Sequence, residues 1–145
     1  MKVQVIHGLG MDMRGIENIE IFGPMKLDEY NVRIREFADA ANIEVSIFHS
    51  NDQSEIINVL NQASKLNYSG VLFNPAGFMQ GFPEIGEAIK LIQIPVYELH
   101  STNPVSRGRV SDILKYCSGS ITGFGVDGYR IGLSAIAHAN KTQKS

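Results

Sequence analysis

The sequence predicts an α/β fold in which helices cover both faces of a five-stranded parallel sheet. Short apolar segments alternate along the chain with longer amphipathic segments, which is the pattern of successive βα units. The length of 145 residues is that of a single domain, predicted to span residues 1–145.

Five apolar segments are predicted to be strands, because each is bounded by polar or turn-forming residues and is too short for a helix. These segments are Lys2–His7, Glu44–His49, Gly70–Phe73, Pro95–Leu99 and Ser118–Gly123.

Helices are predicted between the strands, where apolar residues recur at spacings of three and four. The first two carry the stripes Leu27, Tyr30, Ile34, Phe37, Ala41 and Ile56, Leu60, Ala63. A third runs from about Pro83 to Ile92, a fourth from about Val105 to Tyr116, and a fifth has Tyr129, Leu133 and Ile136 on its inner face. Residues 141–145 are predicted to be a polar tail. Since crossovers between parallel strands are right-handed, this order indicates a doubly wound, flavodoxin-like domain.

One connection is much longer than the fold needs. The segment of about residues 8–25 joins the first strand to the first helix, where about 2 to 6 residues would suffice. It follows a strand at the carboxyl end of the sheet and contains glycines at both ends, Gly8 and Gly23. We therefore expect a lid over a functional site.

Composition narrows the class of partner. The formal net charge is -2 and 19% of residues are charged, so no basic excess would attract nucleic acid or a membrane surface. The expected partner is a small molecule. The single cysteine, Cys117, cannot form an internal disulfide, and Met1 leads directly into the first strand without an apolar signal segment. We therefore expect a cytoplasmic protein.

A carboxylate and an imidazole stand two residues apart at the end of the fourth predicted strand. Glu98 and His100 share one side of the extended chain because side chains alternate with a period of two. Ligands bind at the carboxyl ends of strands in such sheets, and a neighbouring carboxylate can fix the tautomer of an imidazole. The pair is typical of an acid–base site. The alternative is that His100 only satisfies the strand end through a hydrogen bond.

Further polar residues follow the third and fourth strands. Asn74 could bind a ligand hydroxyl or cap the turn after the third strand. The backbone amides of Ser101 and Thr102, near the predicted start of the fourth helix, could hold a carboxylate. Arg107 and Arg109 fall on that helix, either as ligand contacts or as solvated surface charges.

No cofactor or metal ion is predicted. The sequence Gly8-Leu9-Gly10 follows a strand, but Met13 occupies the third glycine position of a dinucleotide fingerprint. The four histidines and the cysteine lack the spacing of a metal site.

Several motifs, in order, resemble those of the type II 3-dehydroquinate dehydratases over nearly the whole chain. They are Glu20-Ile21-Phe22-Gly23, Phe48-His49-Ser50-Asn51, Phe73-Asn74-Pro75, Ile94-Pro95-Val96-Tyr97-Glu98-Leu99-His100 and Gly123-Phe124-Gly125-Val126-Asp127-Gly128-Tyr129. The resemblance implies a flavodoxin-like fold, a lyase of the kind that serves the shikimate pathway, and a homododecamer built as a tetramer of trimers. Glu87 stands where the family places an acidic residue that reaches a neighbouring subunit's pocket.

The resemblance also implies a chemistry. In the family, a lid tyrosine helped by a lid arginine removes a proton next to a ketone, and a histidine protonates the leaving hydroxyl. An enolate forms between these steps. Carried over by position, the acid is His100, its carboxylate partner is Glu98, and the substrate contacts are Asn74 and Arg107.

Several family positions differ in this chain. Phe22 replaces the lid tyrosine and Glu17 the lid arginine. The family's asparagine is replaced by Gly10, its second histidine by Gln80 and its second arginine by Ser111. Gln80 remains a candidate substrate contact. Phenylalanine cannot accept a proton. Loss of the base and of enolate stabilisation predicts that dehydroquinate is turned over about 10⁴-fold more slowly or worse. Glu17 as a replacement base, or Arg14 as a replacement arginine, would offset part of this loss.

Three hypotheses follow from these residues. The first is a diverged lyase or isomerase that uses His100, Glu98 and Glu17 on a small cyclic keto or hydroxy acid. The second is a true 3-dehydroquinate dehydratase with a rewired base. The third is a non-catalytic ligand-binding or assembly protein, for which an oriented imidazole would have no use.

Overall fold

The computed structural model describes the backbone of residues 1–144 and the side chains of residues 1–140. The five strands are β1 (Lys2–Leu9), β2 (Glu44–His49), β3 (Gly70–Ala76), β4 (Val96–His100) and β5 (Gly119–Thr122). The helices are α1 (Ile19–Phe22), α2 (Leu27–Ala40), α3 (Gln53–Lys65), α4 (Pro83–Leu91) and α5 (Asp127–Lys144). Short 3₁₀ turns occupy Met11–Met13, Gly77–Met79, Pro104–Arg107 and Leu114–Tyr116.

The strands form one parallel sheet in the order β2-β1-β3-β4-β5, which confirms the predicted fold class. The inner strands β1 and β3 are buried along nearly their whole lengths, as expected for a sheet covered on both faces. No described helix has the length and apolar character that crossing a membrane requires.

Two apolar layers pack against the sheet. One face carries α3 and α4, whose buried residues Ile56, Leu60 and Ile85 meet Ile6 and Phe73 of the sheet. The other face carries α2 and α5, where Tyr30, Ile34, Tyr129 and Leu133 pack on Val5 and its neighbours. The stripes predicted for α2, α3 and α5 therefore lie on buried faces, except that Ala41 is exposed just after α2 and Ala38 is buried instead.

The predicted helix over Val105–Tyr116 is wrong. A 3₁₀ turn ends at Arg107, and the following Gly108 has a φ of +76°, a left-handed conformation that stops a helix. Ser111 then accepts the backbone N–H groups of Ile113 and Leu114 on its hydroxyl, which replaces helical hydrogen bonds with a local turn. Arg107 and Arg109 consequently lie on an irregular segment after β4.

The predicted tail is also revised. Helix α5 continues to Lys144, so the backbone of residues 141–144 is helical, and Ser145 lies outside the described residues. The first strand is longer than predicted, since it ends at Leu9, and it runs directly into the predicted lid.

The lid segment contains local structure of its own. Met11–Met13 forms a 3₁₀ turn and α1 forms one helical turn, between Gly10 and Gly23, whose φ angles of +90° and +81° suit glycine. At its start the lid is attached to the loop after β2, because the Gly10 amide donates to Asn51 Oδ1 at 2.9 Å. This attachment places the lid beside the carboxyl ends of the strands.

Candidate active site

A cavity of about 230 Å³ opens at the carboxyl ends of β1, β3 and β4, under the lid. Asn74 and His100 form part of its inner wall, and the segment after β4 contributes a second wall. The lid contributes Arg14, Glu17 and Phe22. A cavity of this size is smaller than the pockets of drug-sized ligands, about 300–1,000 Å³, and suits a small molecule.

His100 in the inner wall of this cavity is hydrogen-bonded to Glu98, which lies behind it and does not line the cavity. Their side chains approach to 2.7 Å between His100 Nε2 and Glu98 Oε2, with relative exposures of 9% and 2%. Since an ionised carboxylate can only accept, Nε2 carries the proton of this hydrogen bond. The bond leaves Nδ1 as the ring nitrogen available to a ligand.

The second oxygen of Glu98 is held as well. Ser111 donates its hydroxyl to Glu98 Oε1 at 2.7 Å. Glu98 therefore accepts one hydrogen bond on each oxygen, which is how a buried carboxylate avoids the cost of unmet hydrogen bonds. The arrangement fixes the orientation of the carboxylate and, through it, of the imidazole.

Asn74 is almost fully buried at the end of β3, and its two predicted roles turn out to be compatible. Its Oδ1 accepts the Ala76 amide at 3.0 Å and so holds the turn, in which Ala76 has a φ of +48°. The residue also lines the cavity, where a ligand hydroxyl can reach it.

The segment after β4 brings polar and cationic groups to the cavity. Ser101, Thr102 and Arg107 all line it, and Arg107 Nη1 donates to Thr102 Oγ1 at 3.1 Å. Arg109 lines it too and donates through Nε to Gln80 Oε1 at 2.9 Å. Gln80 itself is exposed and lies outside the cavity wall, so its predicted contact with a substrate would act through Arg109.

The lid contributes an aromatic ring and a buried cation. Arg14 is only 8% exposed, and its Cζ lies 3.5 Å from the centroid of the Phe22 ring. Arg107 lies 5.3 Å from the same centroid. Glu17 is exposed and lines the cavity, so a lid carboxylate is present where a ligand would bind.

Glu87 does not contribute to this cavity within the chain. It is exposed on α4, between residues that face the core. Its predicted contact with a neighbouring subunit's pocket stays a prediction.

A buried network lies beneath the cavity. His7 is fully buried on β1, with Nε2 at 2.9 Å from Asn31 Oδ1 and Nδ1 at 3.5 Å from the Tyr129 hydroxyl. Burial lowers the pKa of His7 from 6.5 to about 4, so the imidazole is neutral at pH 7. Burial also raises the pKa of Tyr129 well above its usual range. This network supports the sheet without offering a proton at neutral pH.

Among the described residues, no group of three or more histidine, cysteine or acidic side chains is placed to hold a metal ion. The cavity groups are instead guanidinium, amide, hydroxyl and carboxylate, which suit direct binding of an organic acid.

Comparison with known proteins identifies the family. The family model described as dehydroquinase class II matches residues 1–137. The chain belongs to this family. A 3-dehydroquinate dehydratase of Nitratiruptor sp. is 34% identical over 139 residues, which are 94% of this chain and 88% of the relative. The resemblance drawn from the motifs is thereby confirmed.

Solved structures of class II dehydroquinases share the fold. The type II dehydroquinase of Butyrivibrio crossotus has a TM-score of 0.88 and 26% identity, covering 94% of this chain and 97% of that one. A 3-dehydroquinate dehydratase-like protein of Bifidobacterium longum has a TM-score of 0.73 and 26% identity, covering 95% and 96%.

Three features in or next to the cavity were missed or left open by the sequence analysis. Ser111 hydrogen-bonds Glu98, Arg109 lines the cavity, and Arg14 is buried against Phe22. The motifs pointed to Ser111 only as a missing arginine, and Arg109 lay on a helix that does not form. The one signal for Arg109 in the sequence was its position two residues after Arg107.

Proposed function

We propose that the protein is a lyase or isomerase doing acid–base chemistry on a small cyclic keto or hydroxy acid, with His100 as the acid. The observation that carries this proposal is the 2.7 Å hydrogen bond between His100 and Glu98 in the wall of a cation-lined cavity. A binding protein would need the arginines but has no use for an imidazole held in one tautomer. We therefore favour an enzyme over a non-catalytic binding or assembly protein.

In the proposed elimination, the carboxylate of the substrate lies against the Ser101 and Thr102 amides and Arg107, and a hydroxyl lies at Asn74. A lid base removes a proton from the carbon next to the ketone. The electron pair of that C–H bond becomes a C=C bond as the C–O bond of the leaving hydroxyl breaks. Protonated His100 delivers its Nδ1 proton to the leaving oxygen, which departs as water.

Glu17 is the proposed base. Phe22, at the position of the family's lid tyrosine, has no proton-accepting atom, whereas Glu17 is the carboxylate of the lid that lines the cavity.

The second candidate function is 3-dehydroquinate dehydratase itself, which converts dehydroquinate to dehydroshikimate. The names of the curated relatives, at 34% identity and below, favour it. The two candidates share the acid and the cavity and differ in substrate and in the efficiency of the base.

The distinguishing experiment uses dehydroquinate and the ultraviolet absorbance of the conjugated enone product. An ordinary enzymatic rate would establish the second candidate and contradict the first. A rate about 10⁴-fold lower, or none, is the result expected for the first. Exchange of the proton next to the ketone is then measured by NMR in D₂O for a panel of cyclic hydroxy-keto acids, which shows which of them the protein deprotonates.

The controls are His100→Gln, which should abolish elimination, and His138→Gln, which alters an exposed histidine on α5. If ligands bind but none undergoes exchange or elimination with the wild-type protein, the enzyme proposal fails and the non-catalytic alternative stands.

We also propose a homo-oligomer, most simply a dodecamer built from trimers, on the basis of family membership and the exposed Glu87. Several large apolar side chains lie exposed, among them Ile16, Ile19 and Phe124. With a chain mass of 16.0 kDa, twelve chains give about 192 kDa by light scattering. A monomer at micromolar concentration would contradict this proposal.

The cytoplasmic location predicted in part from the single cysteine stays a prediction.

A further inference from the structure

The guanidinium of Arg14 is buried without a counter-ion. Its Nη1 is fully buried and has no hydrogen-bond partner, and none of its nitrogens bonds to another described residue. Because arginine does not deprotonate in proteins, this charge stays inside. A buried, unpaired charge is strongly unfavourable unless something pairs with it.

The ring of Phe22 supports this cation without neutralising it. Arg14 lies 3.5 Å and Arg107 5.3 Å from the ring centroid, so two guanidiniums share one ring. Burial lowers the pKa of Arg14, and the charge of Arg107 contributes in the same direction. An anion between these side chains would relieve both effects.

The charges of the cavity wall indicate how many anionic groups a ligand carries. Arg14, Arg107 and Arg109 supply three positive charges and Glu17 one negative, which leaves two positive charges uncompensated. None of these three arginines forms an ion pair with a described residue. Glu98 does not line the cavity and is already hydrogen-bonded to His100 and Ser111, so its charge is not part of this count.

We propose that Arg14 and Phe22 form a second anion subsite next to Arg107, which binds the first anionic group, and that the natural ligand is a small cyclic dianion, such as a dicarboxylate. The inference rests on the proposed function only in taking this cavity as the ligand site. One anionic group binds at the Ser101 and Thr102 amides, and the other pairs with Arg14. The lid position that carries Phe22 thus serves charge recognition, since a phenylalanine there can stack on the guanidinium but cannot take a proton.

Calorimetric titration of the whole protein tests the subsite. The probes are cyclohexanecarboxylate and the cis isomers of cyclohexane-1,3- and 1,4-dicarboxylate. We expect at least one dicarboxylate to bind about 10-fold or more tightly than the monocarboxylate at low salt, with the preference shrinking as salt increases. Arg14→Met keeps the apolar contact with Phe22 and should remove the preference while leaving monocarboxylate binding unchanged.

The matched control is Arg35→Met, which removes the charge of an exposed arginine on α2 that does not line the cavity. Without ligand, Arg14→Met should unfold at the same temperature as the wild type or higher, because it replaces a buried unpaired charge with an apolar side chain. Arg35→Met should keep the dicarboxylate preference.

Equal affinity of the wild type for both probe classes overturns the subsite but leaves the proposed acid–base function intact. A preference that survives in Arg14→Met overturns it as well. A dicarboxylate preference that depends on Arg14 supports the subsite even if no turnover is ever found, because binding is measured without chemistry. If neither class binds, both the subsite and the proposed ligand site fail.

Discussion

Ser111 Oγ donates a 2.7 Å hydrogen bond to Oε1 of Glu98, the carboxylate whose other oxygen binds His100. The two residues are thirteen positions apart, and the turn that replaces the expected helix brings them together. Ser111 thereby connects the backbone of that turn, through Ile113 and Leu114, to the proposed acid. It is a positioning residue, since it acts on His100 only through Glu98.

Ser111→Ala should destabilise the protein and loosen the proposed acid. It leaves a buried carboxylate oxygen without a partner and two turn amides without an acceptor, at a cost of about 1–3 kcal/mol in the free energy of unfolding. Urea denaturation measures this cost, with Ser120→Ala on an exposed position of β5 as the control. Nitrogen NMR of the imidazole gives the second readout. If the His100 tautomer stays as sharply defined as in the wild type, Ser111 is structural only.

Glu98→Gln should misorient His100 while preserving shape. A glutamine side chain has one oxygen that accepts and one NH₂ group that donates. The NH₂ group would face a donor, either the Ser111 hydroxyl or the His100 Nε2–H, so one of the two hydrogen bonds at 2.7 Å is lost. We expect kcat for the elimination to fall about 10²-fold or more, with ligand affinity nearly unchanged. A loss that appeared only in KM would mean that Glu98 helps binding rather than proton delivery.

Glu17→Gln should lower kcat by about 10²-fold or more if Glu17 is the base, with little effect on binding. The matched control is Glu20→Gln, which alters an exposed lid carboxylate outside the cavity wall. Equal activity of Glu17→Gln and the wild type would place the base elsewhere.

Phe22→Tyr combined with Glu17→Arg restores the family's lid pair. We expect a partial gain of activity on dehydroquinate, because Gly10, Gln80 and Ser111 still differ from the family pattern. Product absorbance in the ultraviolet measures the gain against the wild type and each single variant. No gain in the double variant would mean that the lid positions do not limit this reaction.

His7 should make the protein less stable in acid. Its pKa is about 4 when folded and 6.5 otherwise, so between these values the unfolded chain binds a proton that the folded protein does not. The free energy of unfolding therefore falls as pH decreases from 6.5 towards 4, by about 3 kcal/mol in total from this group. His7→Gln cannot titrate and should show a correspondingly smaller loss between pH 7.5 and 4.5 in urea denaturation. Other titrating groups affect the wild type and the variant equally. If both lose the same free energy of unfolding between these pH values, the acid sensitivity does not come from His7.

The sequence alone located the strands, four of the five helices and the pairing of Glu98 with His100. Each depends on how often side chains return to the same face of an element, which local backbone geometry sets at every two residues in a strand and about every 3.6 residues in a helix. Strand β2 spans Glu44–His49 as predicted, α3 buries its predicted stripe, and α2 buries Tyr30 and Ile34 of its own. Asn74 and Arg107 likewise lie at the carboxyl end of the sheet, because Asn74 is near the end of β3 and Arg107 is in the 3₁₀ turn that follows β4.

Only the tertiary structure decided what happens between β4 and β5 and inside the lid. The apolar spacing over Val105–Tyr116 favours a helix, but Gly108 adopts a left-handed conformation and Ser111 binds the turn amides and Glu98 instead. The burial of Arg14 against Phe22 and the contact of Arg109 with Gln80 follow from the lid and the irregular segment meeting over the strand ends. Arg109 and Gln80 are 29 positions apart in the chain, so no local period encodes their contact, and it forms only when the sheet brings β3 and β4 side by side. Arg14 and Phe22 are close in the chain, but their contact depends on the irregular path of the lid, which has no repeating spacing.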